Sequence, residues 1–282
     1  MENPFIFQKD ILKGKTAFVT GGASGIGTGI VRRLAMAGAD IVIASRRKEK
    51  CETEAKKVAD EFHVRTLGIG LDVRNSAEVN AAYREAAEKM GGIDIAINNA
   101  AGNFYFPAEK LRDKLWLAVT EIDLNGTFYC SRAAFKYMKD KGGVIISTTM
   151  TLHYHGWAGM AAATAAKSGI DALTKTLALE WGRYGIRVNA IAPGPIQTEG
   201  VEKAFEAGGS FSDWRNSIPL KKLGHPDNIG DMVVFMASPA ASWMTGSIVV
   251  VDGGESLSPR RAGIEPEKLA EMLARRKEKP AE

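Results

Sequence analysis

Three glycines in the stretch Thr16 to Gly27, TAFVTGGASGIG, supply the first chemistry that can be read from this chain. Gly21, Gly25 and Gly27 follow a short apolar run, Ala17-Phe18-Val19-Thr20, in the spacing G-x-x-x-G-x-G. Lacking a Cβ, such positions let the backbone turn sharply, approach a ligand closely and pack a new helix against a sheet. Gly22, Ser24 and Ile26 complete the turn, and the helix start behind it offers unpaired N–H groups and a positive dipole end to a pyrophosphate. Ordinary strand-to-helix turns also use glycine, so the context matters. Ile26, Ile30, Val31 and Leu34 form the apolar stripe of a helix on a sheet, and Ile41-Val42-Ile43-Ala44 arrives at the distance expected of a βαβ unit.

The residues after that second run bear on which dinucleotide would fit. An NAD-specific site usually places an acid there for the ribose 2′-OH, whereas this chain reads Ser45-Arg46-Arg47-Lys48. Arg46 and Arg47 would meet a 2′-phosphate, which predicts NADP(H), used as NADPH in the reducing direction; the alternative is a solvated basic helix start. Asp72-Val73 closes a third predicted strand, with Asp72 either accepting from an adenine amino group or capping a helix that begins at Ala77. In Asn98-Asn99-Ala100-Ala101-Gly102-Asn103-Phe104, small residues let a flat cofactor lie against backbone, and the amides can tie strands together. Pro193, Gly194 and Ile196 make a stiff, thin loop leading to Thr198, a further phosphate ligand. His153-Tyr154-His155 reads as the lining of a substrate cleft.

These residues act together only if strand ends gather them. Strands are predicted at Ala17–Thr20, Ile41–Ala44, Thr66–Leu71, Ile93–Asn98, Val144–Thr149, Arg187–Ile191 and Ile248–Val251. Helical patterns lie between them, including one from about Asp113 to Lys139 that breaks or bends near Asp123-Leu124-Asn125-Gly126. Gly126 within a helix costs about 1 kcal/mol relative to Ala, so a close approach or a kink is expected there. The alternation gives an α/β fold, a doubly wound parallel sheet (Rossmann fold) in one domain with a C-terminal helical appendage, binding ligands at the strands' carboxyl ends. Residues 1–13 form an approach segment, 14–256 the dinucleotide-binding catalytic domain with a lid over about 199–217, and 257–282 a helical extension.

Composition narrows the partners. At 282 residues with 45% hydrophobic content the chain has ample core for one large domain. A net charge of +4, with basic and acidic residues interspersed, gives no nucleic-acid stripe. The two cysteines, Cys51 and Cys130, stand in no metal-type spacing, so no metal site is expected and a reducing compartment is. No apolar run reaches membrane-spanning length, and the last residues carry no peroxisomal or ER-retention signal, which leaves a cytoplasmic location as the expectation.

With the glycine turn, Asp72-Val73, Asn98-Asn99-Ala100, Asn125-Gly126, Lys167, Asn189, Pro193-Gly194 and Asp252-Gly253-Gly254 in order, the chain resembles the short-chain dehydrogenase/reductase family from about Gly14 to Gly254. The resemblance implies a nicotinamide cofactor bonded in part by Lys167, hydride transfer, and commonly a homotetramer. The family's usual proton donor, a Tyr four residues before the active-site Lys, is here Ala163, so ordinary alcohol or ketone chemistry lacks its acid. Within the family, Asn99 to Phe104, Ala192 to Ile196 and the absent Tyr are similar to the 2,4-dienoyl-CoA reductases. Leu152 stands where the mitochondrial branch has an assisting Tyr, which makes the chain more similar to the peroxisomal-type branch. That resemblance implies an acyl-CoA thioester substrate, Asp123 as proton relay, Asn125 holding the thioester oxygen or a water, and Lys167 lending positive charge. Each has a plainer alternative: a surface helix residue for Asp123, a solvated one for Lys167. Phe104 would pack against the acyl chain or the nicotinamide, core burial being the alternative; Asn103 is a further substrate-side residue, and Tyr154 would line the substrate cleft or lend a hydroxyl. Arg46, Arg74, Arg260 and Arg261 could meet CoA phosphates or be mere surface charges. A 2-enoyl-CoA reductase and a non-catalytic nucleotide sensor are the competing functions.

Overall fold

The computed structural model of the chain describes residues 5–199 and 211–257. Seven parallel strands form one sheet in the order β3-β2-β1-β4-β5-β6-β7. They are β1 (Thr16–Thr20), β2 (Asp40–Ser45), β3 (Thr66–Gly70), β4 (Ile95–Asn98), β5 (Gly143–Thr148), β6 (Ile186–Pro193) and β7 (Ile248–Val251). Every residue of β1 and β4 is buried, as a parallel sheet covered on both faces requires. Strand order reverses between β1 and β4, where Phe18 lies level with Val42 on one side and Ala96 on the other. That switch point opens a crevice at the carboxyl ends of the two strands.

Helices α1 (Ile26–Met36), α2 (Lys48–Phe62), α3 (Ser76–Met90), α4 (Asp113–Thr120), α5 (Gly126–Met138), α6 (Ala161–Trp181), α7 (Phe211–Ser217) and α8 (Pro226–Ala237) connect the strands. One apolar core lies on the side of α1 and α8, and the other on the side of α3 and α5, where Phe18 stacks on Tyr83 with ring centroids 4.0 Å apart. The approach segment joins the first core: Leu12 is buried, with Phe5, Phe7 and Ile11 packed alongside. Buried Arg33 of α1 pairs with Asp227 and Asp231 of α8, both at 3.2 Å, satisfying a charge that burial alone would make costly.

Two features near the site go beyond the sequence reading. The bend expected near Asp123 is a single π-helical turn, Glu121–Asn125, between α4 and α5. Such turns insert an extra residue and re-aim the side chains around them. Gly126 closes it, and a Cβ there would stand 2.7 Å from Val73 Cγ2, so the close approach expected of this glycine is present. β6 runs two residues beyond Ile191, through Ala192 and Pro193, because Pro193 still lies level with Val251 of β7. Most of the expected lid and the C-terminal helical extension lie outside the described residues, as do Arg260 and Arg261.

Candidate active site

The glycine turn is shaped by contacts that side chains would obstruct. Gly21 and Gly25 have φ of +66° and +56°, a region L-residues with a Cβ rarely occupy. A Cβ on Gly27 would stand 2.1 Å from the Gly21 carbonyl oxygen, and one on Gly22 3.0 Å from Val31 Cγ2. α1 has no side-chain cap at its N-terminus, unlike α3 and α8, which are capped by Asn75 and His225. An uncapped helix start behind a turn with glycine at positions 21, 22, 25 and 27 can cradle an anion, so these residues fit a dinucleotide's pyrophosphate. Ser24 is exposed on the turn, and Thr198 lies against it, its Cγ2 3.7 Å from where a Gly25 Cβ would stand. Ile196 holds the loop below Thr198 by a backbone bridge to Gly224, and Gly194 N–H donates to Val251 O at 3.0 Å.

Arg46 and Arg47 leave β2 exposed at the crevice rim, with Arg47 in the cap position of α2. Asp72 does not cap α3; Asn75 does, accepting from the N–H groups of Ala77 and Glu78. Asp72 instead pairs with Arg74, and hydrogen bonding from Arg74 with the charges of Arg74 and Arg46 holds its carboxyl below the usual range. The two arginines therefore flank one carboxylate at the ends of β2 and β3. Val73 is buried, against Gly126.

At the switch point the amides bind strands as expected. Asn99 donates from Nδ2 to the carbonyls of Thr20 (3.2 Å) and Gly21 (3.4 Å), and its Oδ1 accepts from Thr148 Oγ1 at 3.3 Å. The N–H groups of Asn99 and Ala100 both donate to Thr20 Oγ1. Beneath them, Asn98 Nδ2 donates to Ser131 Oγ and Ser147 Oγ.

Next to this lattice sits a buried ion pair. Asp123, 1% exposed, accepts from Gly102 N–H at 2.8 Å, and its other oxygen lies 3.4 Å from Lys167 Nζ. Lys167, itself buried, also donates to Thr148 O at 2.9 Å. Asp123 is thus no surface helix residue, nor is Lys167 solvated. Asn125, expected to work beside them, is exposed and does not join the pair. Residues two apart on a helix point to nearly opposite sides, so with Asp123 turned inward Asn125 turns out.

Ala163, where the family's phenol would stand, is buried in an apolar cluster with Val119, Met160 and Ala162. Phe104, Tyr105, Met150 and Trp157 pack on that cluster, which places Phe104 in a wall one helical turn from Lys167. Asn103 is exposed, its Nδ2 3.8 Å from Met160 Sδ. Tyr154 is 42% exposed, and burial together with the charges of Asp171 and Asp252 pushes its phenol up. Sequence reading missed the partner of its neighbour: His153 Nε2 lies 2.8 Å from Asp171 Oδ2 of α6.

A switch-point crevice with a glycine cradle on one side and a buried Lys–Asp pair on the other defines a nicotinamide-dependent oxidoreductase of the Rossmann class. The family model described as enoyl-(acyl carrier protein) reductase matches residues 21–256. The chain belongs to the short-chain dehydrogenase/reductase family, and that membership implies a nicotinamide cofactor. It is 42% identical over 252 residues to the probable 2,4-dienoyl-CoA reductase [(2E)-enoyl-CoA-producing] of Bacillus subtilis, covering 88% of this chain and 99% of that one. It is 44% identical over 257 residues to the peroxisomal 2,4-dienoyl-CoA reductase [(3E)-enoyl-CoA-producing] of Danio rerio, covering 90% of this chain and 85% of that one. Among solved structures, a short-chain dehydrogenase from Bacillus anthracis superposes with a TM-score of 0.78 at 42% identity, covering 87% of this chain and 98% of the other. Among the described residues no helix is long and apolar enough to cross a membrane, and no group of His, Cys, Asp and Glu could hold a metal ion.

Proposed function

We propose that the protein is an NADPH-dependent reductase of 2,4-dienoyl-CoA thioesters, forming the 3-enoyl-CoA during oxidation of unsaturated fatty acids. The observation that carries this reading is the Asp123–Lys167 pair standing beside an apolar wall at Ala163. A ketone or alcohol site needs a phenol aimed at oxygen, while a conjugated thioester needs a proton for carbon and positive charge near the enolate. When bound, NADPH supplies the hydride, which adds to the far end of the diene and leaves a dienolate with its charge mostly on the thioester oxygen. Lys167 sets positive charge by that anion and orients the nicotinamide ribose; Asp123 relays a proton through water to the α carbon. Hydride plus proton balance a two-electron reduction of one double bond. Arg46 and Arg47 hold the 2′-phosphate, Gly21 to Gly27 and Thr198 the pyrophosphate, and Phe104 the acyl chain. Asn125, exposed at the end of the π-helical turn, holds the thioester oxygen or a bound water.

The two curated relatives carry names with different products, (2E) in one and (3E) in the other, so the site of protonation is the point to measure. Reduction of a 2,4-dienoyl-CoA in D2O is expected to place deuterium at the α carbon of a 3-enoyl product, read by NMR. Deuterium at the γ carbon of a 2-enoyl product would overturn the 3-enoyl assignment in favour of a (2E)-producing dienoyl-CoA reductase, and reduction of a 2-enoyl-CoA instead would move the assignment to the rival 2-enoyl-CoA reductase. NADPH that binds but is never oxidised, whichever acyl-CoA is offered, would make the protein a sensor.

Cofactor choice has its own test. Arg46→Asp is expected to weaken NADPH by about 10- to 100-fold and NADH by no more than about threefold, since a charge-assisted contact becomes a repulsion only when the phosphate is present. Equal losses for both would remove Arg46 from the phosphate site. We also infer a homotetramer, which would cover exposed apolar residues such as Leu179 and Trp243. Of location we propose the cytoplasm, although several relatives are named as peroxisomal.

A further inference from the structure

Lys167 and Asp171 stand one turn apart on α6, a spacing at which a lysine and an aspartate on one helix face can pair with each other. Here each turns elsewhere. Lys167 reaches Asp123 at 3.4 Å and the Thr148 carbonyl at 2.9 Å, and Asp171 reaches His153 at 2.8 Å. The side chains are all buried: 1% exposed for Asp123, 8% for Lys167, 13% for Asp171 and 6% for His153. Asp123, Lys167, Asp171 and His153 thus form a row of ionisable groups in two crossed pairs, where one pair along the helix would leave both outer members alone.

We infer that His153 is a positioning residue: by engaging the Asp171 carboxylate it keeps that charge off Lys167, and so commits the ammonium to Asp123. The inference rests on the reading of Asp123 and Lys167 as the reacting pair. Its physical basis is the cost of a buried carboxylate without a partner, which must find a cation or take a proton. Asp171 Oδ1 has no hydrogen-bond partner among the described residues, so the carboxylate depends on His153 through its other oxygen. Among the described residues, no lysine or arginine pairs with Asp171 or touches the imidazole. Tyr154 lies tilted beside it with ring centroids 4.4 Å apart, Asp252 acts on Tyr154, Glu255 is buried 3.4 Å from Thr151 Oγ1, and His155 is turned to the carbonyl of Ser256. Without His153, the basic groups one turn from Asp171 along α6 are Lys167 and Lys175; Lys175 is exposed, and Lys167 alone shares the buried side of the helix. Its ammonium would be divided between two carboxylates, and its place beside Asp123 would loosen.

A double-mutant cycle on the full chain, with NADPH and a 2,4-dienoyl-CoA, tests this. His153→Leu is expected to lower kcat by about tenfold while KM for NADPH stays within about twofold, and adding Asp171→Asn to it should bring kcat back to within about threefold of the original. Removing the second partner restores activity only if the first acted by restraining it; a merely structural pair would leave the double variant as slow as the single or slower. That outcome, or a His153→Leu enzyme as fast as the original, overturns the inference. Should the leucine variant fail to fold, His153→Asn makes the same comparison, because its shorter amide falls short of Asp171. A crystal structure of either variant reads the geometry without turnover: Lys167 Nζ drawn to Asp171 supports the inference, and Lys167 unmoved beside Asp123 refutes it. An unimpaired Asp123→Asn enzyme would instead sink the underlying assignment of the reacting pair, so the two failures are distinguishable.

Discussion

Asp123→Asn is expected to lower kcat by about 10²- to 10³-fold while leaving the dissociation constant for NADPH within about twofold of the original, the range associated with loss of a positioned proton-transfer group. The substitution is nearly isosteric. The amide oxygen can still accept from Gly102 N–H, now at 2.8 Å, so the backbone after β4 keeps its place and the glycine cradle is untouched. What disappears is the charge beside Lys167 and the capacity to take up and release a proton. Breaking one partner out of a buried pair usually costs about 3–5 kcal/mol of stability. The cost here should fall below that range, because Lys167 keeps the Thr148 carbonyl as acceptor. Single-turnover rates and a fluorescence titration with NADPH separate the terms. A rate equal to the original removes Asp123 from the mechanism, and a parallel collapse of NADPH binding would make its part structural.

The legible features of this chain were those carried by short-range pattern. The glycine spacing, the apolar runs of β1 and β2 and the stripe on α1 each lie within a dozen residues. Burial on both sheet faces makes such runs continuous, so the parallel sheet and its switch point followed from them. Gly126 was legible as a local anomaly, and its contact with Val73 is the reason for it. Features that depend on contacts across the fold were not legible. His153 finds Asp171 across eighteen residues, through a short helical turn after β5 that no periodicity announces. Asp72 looked equally suited to capping α3, but Asn75, nearer the helix start, has taken that part and left Asp72 to Arg74. Asp123 and Asn125, two apart on the helical turn, do not face the same way, so the burial of one and the exposure of the other follow from local geometry.

Gly27→Ala is expected to abolish measurable NADPH binding and to lower the melting temperature by about 10 °C, on the scale of more than about 3 kcal/mol for a methyl forced into packed backbone. The added Cβ would stand 2.1 Å from the Gly21 oxygen, 2.8 Å from the Gly21 carbonyl carbon and 2.9 Å from Asn99 Nδ2. Two of these atoms are main chain. The third belongs to the amide that ties the turn to β4 and β5, so no flexible side chain can yield. α1 would have to lift from the turn, spoiling the N–H groups that face the pyrophosphate and parting Gly21 from Asn99. Gly25→Ala is the instructive comparison. Its Cβ would meet Thr198 Cγ2 only at 3.7 Å, but φ of +56° with ψ of −133° is a conformation that residues with a Cβ rarely adopt, a strain of about 1–3 kcal/mol. That variant should fold and bind NADPH more weakly, while Gly27→Ala should not bind at all. Calorimetry and NADPH titration of both read the contrast directly. If Gly27→Ala bound the cofactor as well as Gly25→Ala, the close approach of α1 to the turn would not be what holds the cradle open, and the cofactor site would have to be sought elsewhere along the switch point.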